Sequence, residues 1–324
     1  MSVANEDRSF LHVMRRVAAE HGVTTEVLGK GWIIRFTKGD TVRHAYGYSL
    51  DLNAAATHQL VCDKAATSEV LAAAGVRHVP HLLFLHPSMA RYAPHAGNWA
   101  RMLKACDDFG WDAVIKENAG TGGRGVMRVR SMLELEQATY ALFSQTTSLA
   151  IAPHVEADVE LRFVMLEGRC ELAFAKERPF VVGDGRRTAL ELLAAQAGDG
   201  GLGRDLRRMI EEYEPDGARQ LASVPPAGAK FLLNWRHNLG QGAVARLVDP
   251  TSHGQAAALA GAAAGAINLR FGSVDVLLAA DGPTVLEVNA GVMMEYIARA
   301  LPEGQAMSER IYRLAFRSMF PPTV

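Results

Sequence analysis

Near the C-terminus, Asp275 lies in one apolar run and Glu287 and Asn289 in the next. Two carboxylates and an amide oxygen are hard donors suited to Mg2+ held jointly with phosphate groups. In Val285-Leu-Glu-Val-Asn289 the Glu and Asn are two apart, so on a strand they project from one face. Asp281-Gly282 between the runs signals a hairpin turn. A two-residue turn there pairs Asp275 with Val288 and sends its side chain to the other face. An odd-length loop, consistent with Pro283 beside the turn, pairs it with Glu287 or Asn289. The wet face of an amphipathic hairpin gives the same spacing. The apolar setting weighs against that plainer reading, because a carboxylate inside an apolar strand normally has a partner.

A second group of residues points to phosphate. Gly120, Gly122 and Gly125, with Thr121 and Gly123 between them, satisfy the dinucleotide pattern G-x-G-x-x-G. That pattern needs a helix directly after the loop, so that the pyrophosphate meets a helix N-terminus. Here Val126-Met-Arg-Val-Arg130 follows and alternates like a strand. A glycine loop between two strands is a flap whose N–H groups suit triphosphate oxygens. Lys116, at the end of the preceding strand, is placed to reach a phosphate. A hairpin turn beside a surface lysine fits the same residues equally well. Walker A, G-x-S-x-G and H-E-x-x-H patterns do not occur in the chain.

The elements that must position these groups are interleaved strands and helices, which predicts a mixed α/β or α+β class. Phe10–Ala19 reads as an amphipathic helix ended by Gly22. Short strands follow near Thr24–Leu28 and Trp32–Thr37. Asp63 is a helix N-cap, with the helix running to Ala74 and Gly75 closing it. Strands are predicted at His81–Leu85, Ala113–Lys116, Leu149–Val155 and Glu160–Leu166, with a turn at Gly168 into another. Asn98–Phe109 reads as a helix stopped by Gly110. Ser131 with Glu134, and Thr188 with Glu191, are capping boxes. Ala197–Gly203 is Gly-rich and reads as a mobile link to a charged helix carrying Arg204, Arg207, Arg208, Glu211 and Glu212, a solvated face. Two helices close the chain.

Bulk properties narrow the function. The 324 residues are 49% hydrophobic and 21% charged, which allows two to three lobes with a sizeable core. A net charge of −1 gives no basic field for nucleic acid or an anionic membrane. Cys62, Cys106 and Cys170 are far apart and odd in number, which points to a reducing compartment. The N-terminus has charges where a signal peptide needs an apolar core, and Ala256–Leu269 is too short to span a bilayer. A cytoplasmic location is expected, with homo-oligomer formation left open.

Taken in order, these segments resemble the ATP-grasp ligases. Val114-Ile-Lys116 with the glycine flap, then Val274-Asp275, then Leu286-Glu-Val-Asn289 is the ordered signature of that superfamily. The match is nearer to the RimK-like ATP-grasp module of cyanophycin synthetase and of bifunctional glutathione synthetases. Asp63-Lys64 with Gly75-Val and Pro80 resembles their helix that leads into the fold. Val181-Val-Gly-Asp-Gly-Arg-Arg-Thr188 with Glu191-Leu resembles their V-x-G-D-G-x-x-T-x-x-E-L. Ser223-Val-Pro-Pro-Ala-Gly228 resembles S-V-P-P-x-G, and Asn238-Leu-Gly-Gln-Gly242 resembles N-x-S-T-G-G. The resemblance spans roughly residues 50 to 300.

This resemblance implies a fold of two α+β lobes clamping ATP. Residues 1–50 would form a short N-terminal helix and hairpin, and 51–324 the ATP-grasp domain. The glycine-flap lobe would cover about 112–155 and a metal-binding lobe about 156–324. Lys64 and Lys116 would hold ATP phosphates, with Gly120, Thr121, Gly122, Gly123 and Gly125 closing over them. Ala152 to Val155, with His154, would be the adenine hinge. Arg162 would face the γ-phosphate and an acyl phosphate, with Lys176 and Arg178 beside it as catalytic candidates. Asn238, Gly240 and Gly242 would hold the acyl substrate; Arg236, beside that loop, reads equally as a bidentate partner for a substrate carboxylate and as a plain surface arginine. Asp275, Glu287 and Asn289 would bind two magnesium ions, with manganese as a substitute. The implied activity is ATP-dependent joining of a small carboxylate to an amine, an amino acid or short peptide. The chain would act as a stand-alone ligase, with neither nucleic acid nor membrane as partner.

The sequence departs from relatives at Ala152-Pro153 in the hinge, at Gly240-Gln241 in the Asn loop, and at Ala290-Gly-Val-Met-Met-Glu295, where they have a Pro-containing segment. His154 and His237 flank site segments and read more simply as structural histidines, His237 being nearer the substrate. Trp235 reads as packing. Two other functions compete. A nucleotide-binding regulatory module without turnover is opposed by the intact Asp275, Glu287 and Asn289. A Rossmann-type oxidoreductase is opposed by the strand after Gly125.

Overall fold

A computed structural model describes residues 8–196 and 221–321. The Gly-rich run from 197 and the charged stretch with Arg204 to Glu212 lie outside the described residues. The helix Ser9–Glu20 buries Phe10, Leu11, Met14 and Val17 along one stripe. Gly22, at φ +65°, ends it in the left-handed region that favours glycine. Four antiparallel strands then pair in chain order: β1 (Thr24–Leu28), β2 (Ile33–Lys38), β3 (Thr41–Tyr46) and β4 (Ser49–Leu50). Sequence analysis finds only two of them. In β3 only Ala45 is buried, so no apolar alternation marks it.

A second sheet holds β5 (Leu82–Leu85), β6 (Ala113–Glu117), β7 (Met127–Val129) and β8 (Ser148–Pro153) in the order β5-β8-β6-β7. Its Ala113, Ile115, Leu149 and Ile151 pack beneath the helices Trp99–Asp108 and Met132–Phe143. By strand alternation Val114, Lys116, Ala150 and Ala152 take the opposite face. Side-chain caps start both helices: Asn98 accepts from the Arg101 N–H at 3.0 Å, and Ser131 from that of Glu134 at 3.2 Å. The Glu134 carboxylate accepts from the Arg130 N–H at 2.6 Å, one residue earlier than a reciprocal capping box requires.

The large sheet is built from β9 (Val159–Leu166) and β10 (Arg169–Glu177) and, beyond a small ribbon of β11 (Phe180–Val182) and β12 (Lys230–Leu232), from β13 (Val244–Leu247), β14 (Phe271–Ala279) and β15 (Gly282–Asn289). Its order is β13-β10-β9-β14-β15, and every pair is antiparallel. One face is wholly apolar: Leu161, Phe163, Ala173, Ala175, Val274 and Val276 lie against the Ala-rich helix Gly254–Ile267. Small side chains on that helix let it lie close to the sheet.

The other face is divided. Val164, Phe174 and Phe271 join Phe10, Met14 and Phe36 of the N-terminal segment and Tyr312 and Phe316 of the last helix, Gly304–Met319, in one cluster. The first fifty residues therefore share a core with the large sheet. Charged side chains occupy the rest of this face.

Tyr312 fixes the loop beyond Asn289. Fully buried, it accepts from the Met294 N–H at 2.9 Å and donates to the Val292 carbonyl at 3.0 Å. Tyr312→Phe leaves both backbone groups without that partner, so unfolding in urea should show a loss of about 1–3 kcal/mol with an unchanged slope.

Candidate active site

The hairpin β14–β15 settles the register left open by the sequence. The loop is two residues, Ala280 and Asp281, since Ala279 pairs with Gly282. Without further change that register would place Asp275 opposite Leu286. A β-bulge shifts the pairing between Asp275 and Val276, so Asp275 lies opposite Glu287 and Ser273 opposite Asn289. The bulge thus does what an odd-length loop was expected to do. Val285 and Val288 stay in the core beneath, while Glu287 and Asn289 share the Asp275 face.

Across this face four charges interlock. Asp275 pairs with Arg162 on β9, and Glu160, two residues along, pairs with Lys176 on β10. Arg162 grips Asp275 with two bonds of 2.6 Å, Nε to Oδ1 and Nη2 to Oδ2. Lys176 Nζ contacts Glu160 Oε1 and lies 3.2 Å from Asp275 Oδ2. Asp275, Lys176 and Glu160 are buried, while Arg162 keeps 26% of its side chain exposed. Burial pushes the Asp275 carboxyl up, but Arg162 and Lys176 outweigh it and bring it down to about 2. Burial pushes the Glu160 carboxyl well above the usual carboxylate range against the pull of Lys176. Arg178, the third catalytic candidate, is paired: its Nη1 is 2.6 Å from Glu156 Oε1 and its Nη2 3.6 Å from Asp158 Oδ1.

Lys116 approaches from the second sheet. It is buried, and burial pulls its ammonium down to about 8, with Glu287 acting in the opposite direction and Lys64 in the same one. Lys64 opens the helix Lys64–Ala73, capped by Asp63, and its Nζ donates to the Gly120 carbonyl at 2.6 Å. Beside these charges, Ala152 and Val155 pack with Val79, Ala157, Leu277 and Leu286 in an apolar patch that bridges the two sheets. The hinge residue His154 is held by Asp112, with Nδ1 3.3 Å from Oδ2, and its ring meets Trp235 edge-on at 5.5 Å. Burial lowers its pKa, and so does Arg128, against the opposing pull of Asp112.

The glycine flap joins β6 to β7, with Gly122, Gly123 and Gly125 at φ of +63° to +72°. Thr121 is exposed. Arg236 donates to the Val126 carbonyl at the base of the flap and stacks over Trp235. Asn238 caps a short 3-10 turn through Gly240 N–H, and Gly242 ends that turn at φ +93°. The Gly-Asp-Gly and Ser-Val-Pro-Pro segments meet each other: a Cβ on Gly183 would lie 2.2 Å from the Pro226 carbonyl oxygen, and the Gly183 N–H donates to Ala229.

Among the described residues no group of three His, Cys, Asp or Glu side chains gathers as a metal site, and no helix is long and apolar enough to cross a membrane. The two carboxylates and the Asn289 amide on one face still suit a hard cation, and Asn289 Nδ2 is buried without a hydrogen-bond partner.

No family model matches the chain. Over 61% of its length it is 28% identical to the glutathione biosynthesis bifunctional protein of Streptococcus thermophilus strain CNRZ 1066. Over 72% it is 26% identical to the cyanophycin synthetase of Nostoc sp. strain PCC 7120. The matches span 29% and 26% of those longer proteins. A bifunctional glutathione synthetase from Pasteurella multocida superposes with a TM-score of 0.54 at 18% identity, covering 94% of this chain and 44% of that one. A D-alanine–D-alanine ligase from Bacillus anthracis gives 0.51 at 13%, covering 82% and 68%. These similarities are to ATP-grasp ligases, and the fold is the one the two solved structures share.

Several residues of the candidate site show their contacts only in the structure. Glu160, in the Glu160-Leu-Arg162 run, is buried against Lys176. Asn118 is buried and accepts from the Ala65 N–H at 3.1 Å, tying the flap to the Lys64 helix. Ser273 is buried beside Asn289 with its hydroxyl unpartnered. His237, which the sequence places beside the Asn loop, lies near Lys176, and burial with Lys176 and Arg178 drives it down to about 3. Only an apolar setting marks such residues in a sequence, and it marks many others too.

Lys116 gives a pH-dependent prediction. Its proton is held less tightly in the folded chain, at about 8, than in the unfolded chain at 10.5. Charged Lys116 therefore destabilises the fold at neutral pH, and stability should rise as pH goes from 8 to 10.5, where the unfolded chain binds more protons. Lys116→Met should be more stable than wild type at pH 7 by about 1–3 kcal/mol, with the gap narrowing across that window in denaturant titrations.

Proposed function

We propose that this chain is an ATP-dependent carboxylate–amine ligase that forms an amide or peptide bond on a small amino acid or peptide, through an acyl phosphate. The observation that carries it is the buried set Arg162, Asp275, Lys176 and Glu160, facing Lys116 under a glycine flap. Its cations are fixed by folding before any ligand arrives, which is what stabilising charge on transferring phosphoryl oxygens requires.

In this reading the apolar patch of Val79, Ala152, Val155, Leu277 and Leu286 receives the adenine ring. Lys116 and Lys64 hold phosphate oxygens, and the N–H groups of the flap cover them. Glu287 and Asn289, with Asp275, would hold magnesium, which would supply positive charge beside the phosphate oxygens. Arg162 presents its exposed edge to the γ-phosphate. The substrate carboxylate attacks the γ-phosphorus, the bond to the β-γ bridging oxygen breaks, and ADP leaves. An amine then attacks the acyl carbon, phosphate departs, and the amine loses its proton. Both steps build negative charge on oxygen, so positioning and cations do the work and no nucleophilic side chain is needed.

The chain spans less than a third of its curated relatives, so the acid and the amine are to be found by experiment. Mg-ATP should release ADP and phosphate only when an acid and an amine from amino acid and dipeptide pools are both present, with a product mass equal to their sum less water. Nucleotide binding without release in any pool would favour a regulatory module instead. Glu287→Gln should lower ADP release by at least about a hundredfold while its urea midpoint changes little, since Glu287 is only partly buried. Turnover near the wild-type rate would remove Glu287 from the metal site.

A further inference from the structure

The Asn loop bears on the flap more directly than on the charged face. The Asn238 side chain is engaged by protein at both ends. Its Oδ1 accepts from the Gly240 N–H at 2.8 Å, and its Nδ2 donates to the Gly122 carbonyl at 3.0 Å. Gln241 Nε2 reaches the next flap carbonyl, Gly123, at 3.4 Å. A Cβ built on Gly123 would lie 2.1 Å from Asn238 Nδ2, so the flap meets the loop where only glycine fits. Gly122 and Gly123, both at φ +72°, hold the conformation that turns their carbonyls to these donors. At its other end the loop carries His237, buried near Lys176, Arg178 and Asp275.

We propose that Asn238 and Gln241 are positioning residues that latch the glycine flap, rather than ligands of the acyl substrate. The latch is a pair of side-chain amide donors clipped to two successive flap carbonyls. It keeps the flap at one height, so that its N–H groups face the space over Lys116. Because the loop starts at His237 beside the charged face, it ties the flap mechanically to whatever occupies that face. The ligase reading enters only in saying what the flap covers; the latch itself rests on the contacts.

Flap release is read without any ligand. Arg124, in the flap, is exposed and offers a trypsin site. Asn238→Asp keeps the acceptor for the Gly240 N–H and removes only the donor to Gly122; Asn238→Ala removes both. In limited trypsinolysis of the full chain followed by mass spectrometry, both variants should be cut after Arg124 about three- to tenfold faster than wild type, the size of one lost neutral hydrogen bond. Cleavage elsewhere should be unchanged. Gly123→Ala should release the flap by displacing the Asn238 amide, and combining it with Asn238→Asp should add little further release.

Cleavage of Asn238→Asp at the wild-type rate, or fully additive effects in the double variant, overturns the proposal. If Asn238→Ala does not fold, Asn238→Asp and Gly123→Ala still decide it. In calorimetry with Mg-AMP-PNP, Asn238→Asp should weaken binding by a similar factor. Absence of nucleotide binding by wild type would instead overturn the ligase reading, while the trypsin rates would still judge the latch.

Discussion

Everything at this site hangs on Asp275 being buried and ionised. A carboxylate taken out of water must be paired, and Arg162 and Lys176 do so from the two neighbouring strands. Lys176 then needs its own counter-charge, which Glu160 supplies. Two carboxyls and two cations share the face, and burial makes Glu160 hold its proton more tightly than Asp275 does. Loss of any one partner would leave a bare buried charge, at about 3–5 kcal/mol. Such a network is a weak way to stabilise a sheet and a strong way to fix the direction of each charge. Its persistence on the one sheet face that is not covered by the Ala-rich helix is the physical argument for chemistry there.

The rest of the large sheet serves that network. Antiparallel pairing of β9, β10 and β14 puts Glu160, Arg162, Lys176 and Asp275 side by side only in the observed registers. The apolar reverse face, sealed by the helix Gly254–Ile267, pins those registers, because a slip of one residue would drive the charges into the core. The bulge at Asp275 lets β15 obey two demands at once. Val285 and Val288, three apart, both face the core, and Glu287 and Asn289 both face the site. A regular strand could not satisfy both.

Apolar packing on either side of the charges gives the site its boundaries. Toward one end, the core shared by Phe10, Phe271 and Phe316 excludes water from the sheet. Toward the other, Leu277 and Leu286 meet Ala152 and Val155 of the second sheet and leave a contact between the lobes with no charge in it. A low dielectric on both sides strengthens each ion pair between them. The same burial makes Lys116 a weaker base than a surface lysine.

Local sequence determined a good deal. Glycines and capping residues fixed the ends of the helices at Ser9–Glu20, Lys64–Ala73 and Trp99–Asp108, since these signals act within a few residues. Strand alternation placed Glu287 and Asn289 on one face and excluded a helix after Gly125. The ordered motifs pointed to the ATP-grasp clamp that the solved structures share. What the sequence could not hold was pairing across distance. The bulge at Asp275, the contact of Glu160 with Lys176, the pairing of Arg178 with Glu156, and the contact of Asn238 with Gly122 each depend on separate segments of the chain. Their energies come from burial and from direct contact, and neither exists until the sheets have formed.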